Sequence, residues 1–183
     1  MRVASGPGAG GDSGGGPGAG ILTFLLVALT VLWTTARHEA SHALVVWLQG
    51  GVIDDMALLP GIHPEAGFYF GYVIHSGDTT WLVDAAPSLA DLALLLLVLF
   101  LTRVKLDWGR YRTAVLYFGV ISPLVNLIYG YQGGLWRPAT DVADLRAILP
   151  PPLVHLYFAA AIGLAIYPLR WLRRIRRTPP QPA

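Results

Sequence analysis

Two histidines and a glutamate lie within a long apolar stretch, and this combination constrains the fold more than any other feature of the chain. The stretch runs from Ile21 to Leu48 and contains the pentapeptide HEASH at residues 38–42. At about 1.5 Å of rise per residue, a helix of this length can cross a hydrocarbon core about 30 Å thick. Because ionisable side chains are costly at that depth, their presence indicates a functional role.

The spacing within the pentapeptide is typical of metal binding. His38 and His42 are four residues apart, so a helix places them on one face with Cβ atoms about 5–6 Å apart, close enough to bind one ion. Glu39 follows the first histidine and lies beside the open position of the metal, where it can act as a general base. The alternative is a buried polar network in which the two histidines hold helices together.

The composition indicates an integral membrane protein. The chain has 183 residues, of which 54% are hydrophobic and 13% charged, whereas soluble domains are about 25% charged. Its apolar residues form blocks of about 20, the length that a bilayer requires. The chain contains no cysteine, which excludes disulfides and thiolate ligands. The basic residues form two short clusters without interleaved aromatic residues, a pattern that favours membrane orientation over nucleic-acid binding.

We therefore predict an all-α polytopic membrane protein with about four transmembrane helices and a short β-hairpin or strand after the first. The aromatic and β-branched segment at residues 67–75 predicts the strand. A Gly-rich, disordered N-terminus is expected at 1–20, a membrane-embedded domain at 21–173 and a basic, Pro-rich tail at 174–183. The predicted spans are Ile21–Gln49, Trp81–Thr102, Tyr111–Tyr131 and Leu153–Leu172.

The distribution of basic residues predicts the orientation. They are concentrated in the loop at 103–112 and in the tail, whereas the other two loops carry only Arg137 and Arg146. By the positive-inside rule, both termini of this multi-pass protein of the cell membrane are cytoplasmic. The C-terminal half of the first helix and the loop at 132–152 then lie together on the outer side.

Two histidines leave a catalytic zinc site incomplete, since such sites usually have three protein ligands and a water molecule. Asp91 lies deep in the second span, where it can orient a ligand rather than bind the ion itself. The residues alone leave the third ligand open among His63, Glu65, His75, Asp84, Asp91, Asp141, Asp144 and His155.

The chain resembles the site-2 protease-type intramembrane zinc metalloproteases. The resemblance is carried by HEASH in a membrane helix, the segment GFYFGYVIHS, the span AAPSLADLALL, the motif SPLVN and the later TDVADL. It implies that His38, His42 and Asp141 bind Zn²⁺, with Asp144 as the alternative third ligand, and that Glu39 is the catalytic base. It also implies membrane-protein or peptide substrates, a substrate-holding role for Asn126, and a 67–75 segment that pairs with substrate or plugs the site. Val142 stands where this family has Gly after the aspartate.

Two other functions fit the same residues. One is a catalytically inactive, metalloprotease-like membrane scaffold that binds other helices. The other is a membrane protein that handles ions or protons through its intramembrane His, Glu and Asp residues. The sequence predicts no nucleic-acid partner and leaves open whether the protein forms an oligomer.

Overall fold

The fold is predominantly helical, as predicted. The computed structural model describes residues 17–63, 67–104 and 108–175. The predicted N-terminal disorder up to residue 16, Glu65 and the tail from residue 176 lie outside these ranges. The helices are α1 (Pro17–Leu48), α2 (Leu82–Arg103), α3 (Arg112–Leu116), α4 (Ser122–Trp136), α5 (Asp141–Ile148) and α6 (Pro151–Ile175).

One boundary prediction was wrong, because α1 begins at Pro17 rather than Ile21. The Gly-rich composition favours disorder, but Pro is well accommodated in the first turn of a helix, where its missing N–H is not needed. The predicted disorder of residues 17–20 is therefore replaced by the first turn of the helix.

Within the described residues, three helices are long and apolar enough to cross a membrane: Gly20–Leu48, Leu82–Arg103 and Gly109–Trp136. They match the first three predicted spans. The outer face of α1 carries large exposed apolar side chains such as Phe24, 71% exposed, which suits contact with lipid. The fourth predicted span coincides with α6, whose apolar section Pro151–Tyr167 is shorter. A membrane crossing by α6 stays a prediction.

The predicted hairpin after the first helix is present. Strands β1 (Val52–Ala57) and β4 (Tyr72–Ser76) pair antiparallel. Between them, β2 (Gly61–His63) and β3 (Gly67–Tyr69) form a second antiparallel pair. The chain thus forms two small two-stranded sheets, and both follow α1 and precede α2 in the sequence.

The third of the long apolar helices is irregular around a proline. A 3₁₀ turn (Gly109–Tyr111) leads into α3, and a π-helical turn (Tyr117–Ile121) separates α3 from α4. Pro123 lies just after the π-helical turn. Since proline cannot donate a backbone hydrogen bond and crowds the preceding turn, a local change of helix winding accommodates it.

The hydrophobic core lies between α2, α4, α5 and α6. Its members are apolar side chains that are almost completely buried, among them Leu95, Val98, Leu127, Leu145 and Phe158. The helix α1 also makes polar contacts with α2 and α4. These contacts set the position of the HEASH segment relative to α2 and α4.

The short helix α5 packs directly against α4. A Cβ atom on Gly134 would overlap the side chain of Val142, so the two helices approach as closely as they do only because residue 134 is glycine. Val142 is 4% exposed. This contact fixes the start of α5, where Asp141 lies.

Candidate metal centre

Three side chains from distant parts of the chain lie close together. Nε2 of His38 lies 3.1 Å from Oδ2 of Asp141, and Nε2 of His42 lies 3.4 Å from the same oxygen. The two Nε2 atoms are 3.3 Å apart. The helix α1 supplies both histidines at adjacent turns, and α5 supplies the aspartate at its first residue.

These separations fit a tetrahedral metal ion. Ligand atoms that are each about 2.0–2.1 Å from a tetrahedrally coordinated zinc lie about 3.3 Å from one another. The observed triangle has nearly these dimensions before any ion is added. Two imidazoles and one carboxylate are also a donor set that catalytic zinc uses, with the fourth position left to water. The residues present therefore fit a zinc ion.

The imidazole of His42 is held by the main chain. Its Nδ1 lies 2.8 Å from the carbonyl oxygen of Val83, at the start of α2. With Nδ1 donating to this carbonyl, Nε2 is left free to bind a metal. His42 is buried, at 8% exposure.

The imidazole of His38 is held by a side chain. Its Nδ1 lies 3.3 Å from Nδ2 of Asn126 on α4. The same amide nitrogen donates to Oδ2 of Asp91, at 2.7 Å. Asp91 is completely buried, which confirms that it faces the helix bundle, and it reaches the histidine through Asn126 rather than directly.

A tight turn brings Asp141 back to the two histidines. After α4 ends at Trp136, Ala139 adopts a φ of 55°, a left-handed conformation uncommon for residues other than glycine. Thr140 is extended and α5 begins at the next residue. Burial would raise the pKa of the Asp141 carboxyl, but in the absence of a metal the protonated imidazoles of His38 and His42 donate hydrogen bonds to it and, with their charges, hold that pKa well below its usual range. The carboxylate is thus kept in its ligand form.

The other candidate third ligands lie elsewhere. Within the ranges that the structure describes, the donor atoms near enough to share an ion are those of His38, His42 and Asp141. His155 on α6 contacts the hydroxyl of Tyr131 instead, at 2.9 Å. The remaining described candidates are outside this group of donor atoms: His63 on β2, His75 on β4, Asp84 in the first turn of α2 and Asp144 in the first turn of α5.

Glu39 lines a cavity beside the three donor atoms. The cavity has a volume of ≈ 620 Å³ and extends between α1 and α4. Apolar side chains such as Val31 and Val125 line much of it, while His38, Glu39 and Asp141 line it near the metal centre. A polypeptide segment in this cavity would therefore lie next to both the donor atoms and a carboxylate base.

The segment between β3 and β4 contacts Glu39. A Cβ atom on Gly71 would lie 2.6 Å from Cγ of Glu39 and 2.8 Å from Cγ2 of Thr35, closer than side chains tolerate. Phe70, the preceding residue, lines the cavity. The segment predicted to lie over the site is therefore in direct contact with it.

Arg37 was not among the residues that the sequence predicted for this site. This residue forms an ion pair with Asp91 across α1 and α2, and the two side chains are 12% and 0% exposed. The sequence does contain a cation and an anion in successive apolar spans, and this could have predicted the pair, since charges at membrane depth usually pair with each other.

No protein-family model matches the chain. No solved structure matches it either.

Proposed function

We propose that this protein is a membrane-embedded zinc endopeptidase that hydrolyses peptide bonds of membrane-protein substrates. The observation that carries the proposal is the triangle of Nε2 of His38, Nε2 of His42 and Oδ2 of Asp141, with sides of 3.1–3.4 Å. The glutamate that follows the first histidine lines the same cavity. His38, His42 and Glu39 lie on α1, which is long and apolar enough to span a membrane, and Asp141 reaches them from the short helix α5.

The roles of the residues follow from their chemistry. His38, His42 and Asp141 would hold Zn²⁺, which supplies a Lewis acid that polarises a carbonyl group and makes water more acidic. Glu39 would accept a proton from the attacking water and later return it to the leaving amine. Asn126 lines the cavity and carries an amide N–H group that can bind a substrate carbonyl oxygen.

The cavity favours substrates that are apolar and extended. A zinc peptidase must reach the backbone of its substrate, so a transmembrane helix has to unwind locally before it can be cut. The Thr30 and Thr34 hydroxyls are bonded to carbonyl oxygens of their own helix, at 2.6 and 2.7 Å. Away from the proposed metal centre, this section of α1 therefore presents few free polar groups to a bound substrate.

In the orientation that the basic residues predict, with both termini cytoplasmic, the proposed metal centre lies near the outer face of the cell membrane. The lipid bilayer surrounds α1, α2 and the Gly109–Trp136 helix, and α6 provides the fourth crossing. A catalytically inactive scaffold remains the alternative function. The specific feature favouring an enzyme is the placement of Glu39 in the cavity next to the donor atoms.

The test is zinc quantification combined with cleavage of transmembrane reporter proteins, using the wild type and Glu39→Gln. We expect about one zinc per chain in both proteins and cleavage by the wild type alone. Absence of zinc from the wild type would contradict the proposal. Zinc in both proteins without cleavage by either would instead favour the inactive scaffold.

A further inference from the structure

A chain of buried polar groups connects three helices and ends at the candidate metal centre. Arg37 on α1 forms an ion pair with Asp91 on α2, and its other terminal nitrogen donates to Oγ of Ser122 on α4, at 2.9 Å. Oδ2 of Asp91 accepts a hydrogen bond from Nδ2 of Asn126, at 2.7 Å. The chain ends where this amide nitrogen meets Nδ1 of His38, at 3.3 Å.

This chain determines which way the Asn126 amide faces. An ionised carboxylate can only accept hydrogen bonds, so the side of the amide that faces Asp91 must be its NH₂ group. One hydrogen of Nδ2 is directed at Asp91, and the second lies toward Nδ1 of His38. When His38 uses Nε2 as a ligand, Nδ1 keeps the ring proton, so two N–H donors face each other and cannot form a hydrogen bond. The second amide hydrogen then has to turn away from the ring toward another acceptor, and Asn126 lines the cavity.

Stability alone does not account for the ion pair. Removing two charges from water costs several kcal/mol per ion, and well-packed apolar residues are often as stabilising as a buried pair. The core between α2, α4, α5 and α6 consists of buried apolar side chains, so apolar packing is available to hold these helices together. A charged pair at this one place, bonded to a cavity-lining amide, indicates a role in function.

We propose that Arg37 and Asp91 are positioning residues, which hold the Asn126 amide so that it donates a hydrogen bond to a backbone carbonyl of the polypeptide bound in the cavity. This inference rests on the proposed proteolytic function, because it assigns the cavity to a polypeptide. The contrast with His42 supports it. The imidazole of His42 is held by a main-chain carbonyl at Val83, whereas Nδ1 of His38 faces the side-chain amide of Asn126, which also lines the cavity.

The test measures binding of a fluorescein-labelled, Leu/Ala-rich transmembrane peptide in detergent micelles, by anisotropy, to the Glu39→Gln protein. Asn126→Leu keeps a similar shape and removes the donor. It should weaken binding about 3–10-fold, the effect of one lost hydrogen bond. Replacing the ion pair with apolar residues, Arg37→Met with Asp91→Leu, should cause a similar loss. Combining all three changes should weaken binding no further, because the pair acts through Asn126.

Arg37→Lys provides a second variant that keeps the buried charge. A lysine cannot bond Asp91 and Ser122 with the fixed geometry of a guanidinium, so an intermediate loss of binding is expected. This loss should also vanish in the Asn126→Leu background. Zinc content and the melting temperature of each variant show whether the fold and the metal centre are intact.

Three results would overturn the inference: unchanged binding in the ion-pair variants, losses that add to that of Asn126→Leu, or no peptide binding by any variant. These outcomes differ from failure of the proposed function. Peptide binding that depends on Arg37 and Asn126, in a protein whose wild type cleaves nothing, supports the inference and contradicts the protease. Cleavage by a wild type whose ion-pair variants bind normally contradicts only the inference.

Discussion

Gly134 and Val142 are in direct contact, and this contact sets the position of a proposed metal ligand. Val142 is adjacent to Asp141 in the sequence. No side chain can be added at residue 134 without displacing Val142. The glycine on α4 leaves the space that the side chain of Val142 fills.

Gly134→Ala should therefore weaken zinc binding. The added methyl group would push α5 away from α4 and move Asp141 out of the triangle of donor atoms. We expect a loss of zinc affinity of about tenfold, as when a group that orients a ligand is altered. Competition with a zinc chelator measures the affinity.

The neighbouring residue provides the control for this variant. A Cβ atom on Gly133 would meet nothing within 4 Å, so Gly133→Ala should leave the zinc affinity unchanged. Adding Val142→Gly to Gly134→Ala should restore part of the affinity. Equal effects of the two single alanine variants would mean that the contact does not position Asp141.

Asp141→Ala should abolish stoichiometric zinc binding, since it removes one of three protein ligands. Asp144→Ala is the matched control, because Asp144 lies in the same first turn of α5 but outside the group of donor atoms. It should retain about one zinc per chain, as measured by mass spectrometry of the metal. Full zinc occupancy in Asp141→Ala, or its loss in Asp144→Ala, would refute the assignment of the third ligand.

Gly71→Ala should lower cleavage without removing zinc. The new methyl group would overlap Cγ of Glu39, so either the hairpin or the proposed base must move. We expect kcat to fall at least about tenfold, because general base catalysis contributes roughly 10²–10⁴-fold and depends on exact placement. Cleavage of a transmembrane reporter protein measures the effect.

Gly163→Ala on α6 is the control, since a Cβ atom there meets nothing within 4 Å. Its cleavage rate should equal that of the wild type. An unchanged rate in Gly71→Ala would mean that the hairpin does not constrain Glu39.

Val31→Trp should block substrate binding, because this side chain lines the cavity between α1 and α4. Leu29→Trp makes the same change two residues away on α1, at an exposed position outside the cavity lining. We expect the first variant to lose cleavage and keep its zinc, and the second to retain both. A Val31→Trp protein with normal kcat/KM would show that the substrate does not use this cavity.

The helices and the close approach of His38 and His42 could be predicted from the sequence because both depend on local patterns. Apolar blocks and the four-residue spacing of His38 and His42 can be read directly from the sequence. Most predicted helix ends agree with the observed ones to within a few residues. The identity of the third ligand could not be settled this way. Asp141 and Asp144 lie on the same short helix, and the turn at Ala139 together with the packing of Val142 against Gly134 determines which one faces the histidines.

The remaining parts of the site depend on contacts between helices, which leave little trace in the sequence. That Arg37 pairs with Asp91 follows from how α1 crosses α2, and the support of His42 comes from a main-chain carbonyl. A carbonyl is common to every residue, so no residue type at position 83 could have indicated it.

His42 and Asp141 are far apart in the chain, and this separation has a consequence for biosynthesis. Chains emerge from the ribosome N-terminus first, so α1 is made well before α5. A partly synthesised chain carries the two histidines and Glu39 but not the aspartate that completes the triangle. The proposed hydrolase is thus inert until α5 has been made, and neighbouring nascent proteins are not exposed to its activity before then.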